Sequence, residues 1–168
     1  PDIVFIQEIN GADRWLFREH LGASYPYQLW SERYEEYNGG VILSRHPFVR
    51  QNNINVKTRY ASTHTNVNHA EIRFQDEIVH LINCHLYPSG HAFIRLIEGV
   101  ENPETFLKKT RKTYQRRLDE AQQVLRHVDS LEGAVVLAGD FNDTPGSRLY
   151  RLLSRRLQNA FQEAGWGL

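Results

Sequence analysis

The sequence predicts a layered α+β domain. Three features carry that expectation: strand-like runs crowd the first half, a tight hairpin joins two of them, and a long amphipathic helix leads into a further apolar strand. The opening Asp2-Ile3-Val4-Phe5-Ile6-Gln7-Glu8 is β-branched and apolar and ends in a carboxylate, which reads as a buried strand carrying Glu8 at its exit. Gly11 closes it, and residues 12–21 place Trp15, Leu16 and Leu21 near helical spacing, with Gly22 as the C-cap. Runs at 26–30, 40–44 and 48–54, separated by Asn38-Gly39 and His46-Pro47, read as a meander of strands. Residues 70–74 and 78–87 form the clearest hairpin, with Gln75-Asp76-Glu77 as its turn. From 103 to 131, Phe106, Leu107, Tyr114, Leu118, Ala121, Leu125 and Val128 recur at threes and fours, so this stretch is a helix that Gly133 ends. Residues 134–138 are a fully apolar strand delivering Gly139-Asp140-Phe141-Asn142-Asp143 at its exit, and Thr144-Pro145-Gly146-Ser147 turns the chain into a short helix. Antiparallel runs, two buried strands and flanking helices together predict sheets packed on one another with helices outside.

Length and composition bound the function. The 168 residues suit one domain, 1–168, and 40% hydrophobic with 24% charged residues excludes a disordered tail or a fibre. Twenty Lys and Arg balance twenty Asp and Glu, so any attraction to nucleic acid or an anionic membrane must be local. No apolar run approaches the roughly 18 residues that span a bilayer, and no stretch resembles a signal peptide; a soluble domain of unassigned compartment is expected. The single cysteine, Cys84, lies in an apolar strand and reads as a small buried hydrophobe. Methionine is absent and residue 1 is proline, so the sequence reads as an excised piece of a longer polypeptide.

Candidate chemistry gathers at three strand ends: Gln7-Glu8, Asn83-Cys84-His85 and Gly139-Asp140-Phe141-Asn142. Asp140 and Asn142 lie two apart on extended chain, so both face one side, where a carboxylate and an amide suit a hard cation or phosphate oxygens. The plainer alternative is a turn in which Asp140, Asn142 and Asp143 bond local backbone. His85 shares a face with Asn83 and Tyr87, opposite Cys84 and Leu86; if those two face the core, His85 does not. Its near-neutral pKa suits proton transfer. The other histidines are weaker candidates: His46 precedes a proline, His64 and His69 lie in a polar loop and strand start, and His127 has no ligand partner at i±4. No zinc-site spacing emerges.

Asp2-Ile3-Val4-Phe5-Ile6-Gln7-Glu8, Asn38-Gly39-Gly40-Val41-Ile42-Leu43-Ser44-Arg45-His46-Pro47, Asn83-Cys84-His85-Leu86 and Gly139-Asp140-Phe141-Asn142-Asp143-Thr144-Pro145 resemble, in order, four motifs of the endonuclease/exonuclease/phosphatase superfamily. That resemblance implies a four-layer α/β sandwich, two mixed, mainly antiparallel sheets face to face with helices outside, and metal-assisted hydrolysis of a phosphoester. Glu8 matches the family's metal-binding glutamate, implying magnesium, with manganese or calcium as alternatives taken by the same oxygen ligand. His85 matches an active-site histidine that contacts phosphate oxygen or assists proton transfer. Asp140 matches the aspartate that orients or deprotonates the attacking water, and Asn142 the asparagine that binds phosphate. Asn38 matches a position near that histidine and is assigned to the phosphate site or to orienting His85. The family's earlier asparagine strand and its later aspartate and Asp-His motifs have no match in these residues, so the 168-residue chain alone is expected to hydrolyse poorly.

The implied partner is a phosphate-containing substrate: nucleic acid, phosphoinositide or phospholipid headgroup. No obligate protein partner is evident. The basic run at 108–117 reads first as a solvated helix face and second as a phosphate-backbone or headgroup contact. The connection after His85, with His91, Phe93, Ile94, Leu96 and Ile97, suits a lid or docking segment. A non-catalytic binding or scaffold domain that keeps the fold is the alternative class; a scaffold has no need of Glu8, His85, Asp140 and Asn142 together at strand ends.

Overall fold

Seven strands assort into two sheets in a computed structural model of the chain, which describes residues 1–32, 39–60, 65–88 and 102–165. Strand β1 (Ile3–Ile9) leads through a short 3-10 turn (Gly11–Asp13) into helix α1 (Arg14–Leu21). β2 (Tyr27–Trp30), β3 (Gly39–Ser44) and β4 (Phe48–Val56) follow, then β5 (Thr65–Phe74) and β6 (Glu77–His85). Helix α2 (Pro103–Val128), β7 (Ala134–Asp140) and the short helices α3 (Arg148–Leu153) and α4 (Ala160–Glu163) complete the described chain.

The first sheet has the order β1-β3-β2 and is antiparallel throughout; the second has the order β4-β5-β6-β7, with one parallel pair, β6 with β7. Period-two alternation gives each sheet two apolar faces. Between the sheets, Leu29 and Ile42 of the first pack on Ala70, Ile72 and Leu81 of the second. On the outer side of the first sheet, Phe17 and Leu21 of α1 cover Trp30, Val41 and Leu43. On the outer side of the second, Ala121, Val124 and Val128 of α2 cover Val67, Ile82 and Cys84. The result is helix, sheet, sheet, helix, and it agrees with the predicted layering. The sheets approach closely at Gly40, where a Cβ would stand 2.9 Å from Asn83 Nδ2.

Several local expectations are corrected. β7 is not a fully buried strand: it is the edge of its sheet, and Val136 is exposed. On α1, Trp15 and Leu16 point outward and Phe17 and Leu21 form the inner face. On α2, Leu107 is exposed, while Arg116, Arg117 and Glu120 are buried. Hence the basic run at 108–117 is no uniform solvated face; its last two arginines are packed inside. No helix among the described residues is long and apolar enough to cross a membrane.

The hairpin turn is two residues long. Phe74 pairs with Glu77, and both Gln75 (φ 48°) and Asp76 (φ 66°) adopt left-handed backbone. That is the geometry of a type I′ turn, which asparagine followed by glycine fits best. The double change Gln75→Asn, Asp76→Gly is expected to raise stability by about 1 kcal/mol, measured by urea unfolding, because it relieves left-handed strain at two side-chain-bearing residues.

Candidate active site

β1 ends in a register shift between Ile6 and Ile9, and within it Glu8 has φ 59°. A left-handed glutamate costs energy and is held by its surroundings. Asn83 holds it here: Gln7 Nε2 donates to Asn83 Oδ1 (2.6 Å), and Asn83 Nδ2 donates to the Ile6 and Val41 carbonyls at 3.0 and 3.2 Å. The kink turns the Glu8 side chain outward, 62% exposed, with its Oε1 3.7 Å from His85 Nε2.

His85 ends β6. Cys84 and Leu86 do face the core, as expected, but it is the helix-side core, and His85 lies on the opposite, inter-sheet side. Its side chain is only 9% exposed, and its buried Nε2 has no hydrogen-bond partner. The expectation that His85 escapes burial is therefore corrected: both faces of this strand are covered, and the ring reaches the surface only at the rim.

Parallel pairing sets Asp140 beside His85 in register. Gly139 makes this possible. Its φ is 143°, and a Cβ there would collide with the Cys84 carbonyl oxygen. Asp140 Oδ1 accepts from the Asn142 N–H at 2.7 Å, and Asn142, at φ 50°, donates through Nδ2 to the Leu86 carbonyl at 2.8 Å. The local-turn reading is thus realised in the hydrogen bonds, and it also fixes Asp140 and Asn142 against the strand that carries His85. Of the four non-glycine residues with positive φ among the described residues, Gln75 and Asp76 form the hairpin turn; Glu8 and Asn142 flank this rim. Asn38, His64, the 89–101 connection with His91, Phe93, Ile94, Leu96 and Ile97, and residues 166–168 lie outside the described residues.

The donors present at the rim fit a hard divalent cation. They are carboxylate and amide oxygens, one of them well exposed, and magnesium takes one or two carboxylates while keeping waters and phosphate oxygens. The unpartnered His85 nitrogen adds a donor for an anionic ligand beside them. Cys84 has no part: burial, then the Glu120 charge, push its thiol far up, so it stays protonated.

A second cluster was not legible as one. His69 and His80 lie on the helix-facing side of the second sheet, and His127 meets them from α2. His127 Nε2 is 3.1 Å from His69 Nδ1, His69 Nε2 is 3.0 Å from His80 Nδ1, and His80 Nε2 is 3.0 Å from the Glu132 carbonyl. With ring protons on Nε2 throughout, each ring donates to the next and all three are neutral. Burial, then the repulsion a protonated ring would meet from His127, His80 and Arg50, lowers His69 to about 4, and burial, then His80, lowers His127. Glu71 Oε1 stands 3.8 Å from His80 Nδ1. His69 takes up its proton near pH 6.5 in the unfolded chain and only near pH 4 in the folded one, so the unfolded state binds more protons in between. Stability is therefore full above pH 6.5 and falls as pH drops toward 4, by up to about 3 kcal/mol for His69. Urea unfolding in chelator across this range should show the slope, and His69→Gln should flatten it.

A family model described as the Endonuclease/Exonuclease/phosphatase family matches residues 1–167. No curated protein matches the sequence. Among solved structures, TDP2 from D. rerio complexed with single strand DNA product superposes with a TM-score of 0.67 at 19% identity, covering 99% of this chain and 58% of that one. Sphingomyelinase C from Streptomyces griseocarneus gives 0.64 at 17% identity, covering 91% and 56%. A β-hairpin deletion mutant of beta toxin from Staphylococcus aureus gives 0.66 at 14%, covering 92% and 58%. At these identities the likeness is one of fold. The chain spans a little under three-fifths of the length of each of these structures.

Proposed function

The chain belongs to the endonuclease/exonuclease/phosphatase family, and on that premise we propose that it contributes to a magnesium-dependent hydrolase of phosphoester bonds, a phosphodiesterase, nuclease or phosphatase. One observation carries the reading: the exposed Glu8 carboxylate stands 3.7 Å from a buried His85 Nε2 that lacks a hydrogen-bond partner. Polar atoms buried without partners are uncommon and call for an explanation. A phosphate oxygen supplies one, since it would accept from this nitrogen. A scaffold has no use for such an atom at a strained strand end, which disfavours the non-catalytic alternative.

Glu8 is the residue that would hold the cation. Bound there, such an ion supplies charge neutralisation for the phosphate oxygens. His85 donates to a phosphate oxygen and meets the charge that develops there. Asp140, exposed at the end of β7, orients the attacking water through its carboxylate. Asn142, tethered through Nδ2 to the Leu86 carbonyl, keeps its amide oxygen and strained backbone beside the site to position the ester. Asn38 is assigned to the same phosphate site on its sequence match.

The substrate class follows from chemistry at this rim: a phosphate ester presented to the Glu8 and Asp140 carboxylates and one imidazole. TDP2 with its DNA product and sphingomyelinase C mark two forms that ester takes on this fold. With Arg116 and Arg117 packed inside, the basic run offers a nucleic-acid backbone less charge than its sequence suggests. The test is to assay the full-length protein against DNA, RNA, phosphoinositides and sphingomyelin with magnesium and with chelator. Hydrolysis of one of these that chelator removes and magnesium restores is expected. Activity indifferent to chelator, Glu8→Ala and His85→Ala would reject the reading.

A further inference from the structure

We propose that His69, Glu71 and His80 form a second metal site, for a zinc-like transition-metal ion, with His127 and the Glu132 carbonyl orienting its two imidazoles. The site is separate from Glu8. His80 lies five residues before His85 on β6, about 16 Å along the strand, and on the opposite, helix-facing side.

Hairpin register builds it. Glu71 pairs directly with His80, and His69 is two residues from Glu71 on the same face. His69 Nε2 and His80 Nδ1 are 3.0 Å apart, His80 Nδ1 and Glu71 Oε1 are 3.8 Å apart, and one atom from each residue falls within 4.8 Å of the others. Two nitrogens bound to one tetrahedral zinc lie about 3.3 Å apart, from zinc–nitrogen bonds of about 2.0–2.1 Å, so shifts of a few tenths of an ångström make the set coordinate. Two imidazoles and a carboxylate are donors that zinc accepts, and they leave a fourth position for water.

The surrounding contacts are those that ligating histidines need. An imidazole bound to metal by one nitrogen places its other N–H on an acceptor. His80, ligating through Nδ1, already has the Glu132 carbonyl at its Nε2. His69, ligating through Nε2, has His127 Nε2 at its Nδ1. Protons balance without release: in the metal-free chain each ring carries one on Nε2. On binding, the His69 proton moves to Nδ1 and donates to His127 Nε2, whose own proton moves to its Nδ1. Three protons sit on three rings before and after. The way in passes Glu71, 14% exposed, and Arg50, whose side chain is 79% exposed and stands 4.0 Å from the carboxylate, free to swing aside as the cation arrives.

The experiment titrates the chelator-stripped full-length protein with zinc by calorimetry at pH 7.5 in two buffers, and with cobalt(II) by visible absorption. One zinc per chain at this site, an enthalpy independent of buffer, a raised thermal midpoint and a tetrahedral cobalt band displaced by zinc are expected. His69→Gln and Glu71→Gln should each abolish the band, His127→Gln should weaken binding about 10- to 100-fold, and Glu8→Ala should leave it unchanged. Absence of the band in the parent protein, its survival in Glu71→Gln, or its loss in Glu8→Ala overturns the assignment. If His69→Gln does not fold, the nearly isosteric Glu71→Gln decides alone.

Discussion

His85→Ala is expected to lower phosphoester hydrolysis by the full-length protein about 10²- to 10⁴-fold, equivalent to about 3–5 kcal/mol of transition-state stabilisation. The folded state should lose little, since the buried Nε2 makes no hydrogen bond that alanine would forfeit; about 1 kcal/mol of packing is the expected cost. That separation of effects is diagnostic. A group kept for folding takes stability with it when removed, whereas a group kept for an incoming phosphate takes the rate. Glu8→Gln should behave differently again. Its side chain is largely exposed, so stability should be unchanged, and the lost carboxylate charge should appear as a higher magnesium requirement with partial recovery at high magnesium. Steady-state rates against magnesium concentration, beside urea unfolding of each variant, make the comparison. A His85→Ala protein with near-wild-type rates removes His85 from the site.

How much of this was legible in the sequence depended on how local the signal was. Strand β1, the β5–β6 hairpin and helix α2 follow from alternation, turn residues and 3.6-residue periodicity, which neighbouring residues alone encode. The layering followed from counting those elements. Burial on a particular face did not: Val136 sits in an apolar run yet is exposed because β7 ends its sheet, a fact of strand order rather than of composition. Arg116 and Arg117 look like solvated helix residues, the first with an i+4 partner in Glu120, until Tyr87 and Thr65 are brought against this stretch by the fold. The motifs named Glu8, His85, Asp140 and Asn142, but neither the 3.7 Å approach of Glu8 to His85 nor the tether of Asn142 to Leu86 could be read from spacing, because each joins residues more than fifty positions apart in the chain. The histidine chain is an instructive omission. His69 and Glu71 are i and i+2, and the turn at Gln75-Asp76 fixes Glu71 opposite His80, so hairpin arithmetic held most of the cluster; only His127, 58 residues from His69, needed the fold.

Glu120→Ala is expected to destabilise the protein by about 3–5 kcal/mol, the usual cost of breaking a buried ion pair from one side. The carboxylate is fully buried and satisfied three ways: it accepts from Arg116 Nε at 2.8 Å, Thr65 Oγ1 at 2.8 Å and the Tyr87 backbone N–H at 3.0 Å. Alanine would leave a buried guanidinium and a backbone N–H without their acceptor. Glu120→Gln keeps the shape but swaps one acceptor for a donor, so a smaller loss of about 2 kcal/mol should follow. Replacing both charges with apolar residues of similar volume, Arg116→Met with Glu120→Leu, should recover much of the deficit, because desolvation offsets most of the attraction within such a pair. The clamp also bears on the site. Tyr87 is two residues beyond His85, its carbonyl accepts from Arg117 and its ring lies under Arg116 at 3.8 Å, so the chain leaving β6 is held on both its N–H and C=O sides. Leu86, between them, carries the carbonyl that tethers Asn142. Glu120→Gln assayed well below its melting temperature should therefore lose turnover through misplacement of His85 and Asn142, with its magnesium requirement unchanged. Full turnover in a destabilised Glu120→Gln protein would confine the clamp to folding, and a Glu120→Ala protein that unfolds within 1 kcal/mol of wild type would show that the network is dispensable even there.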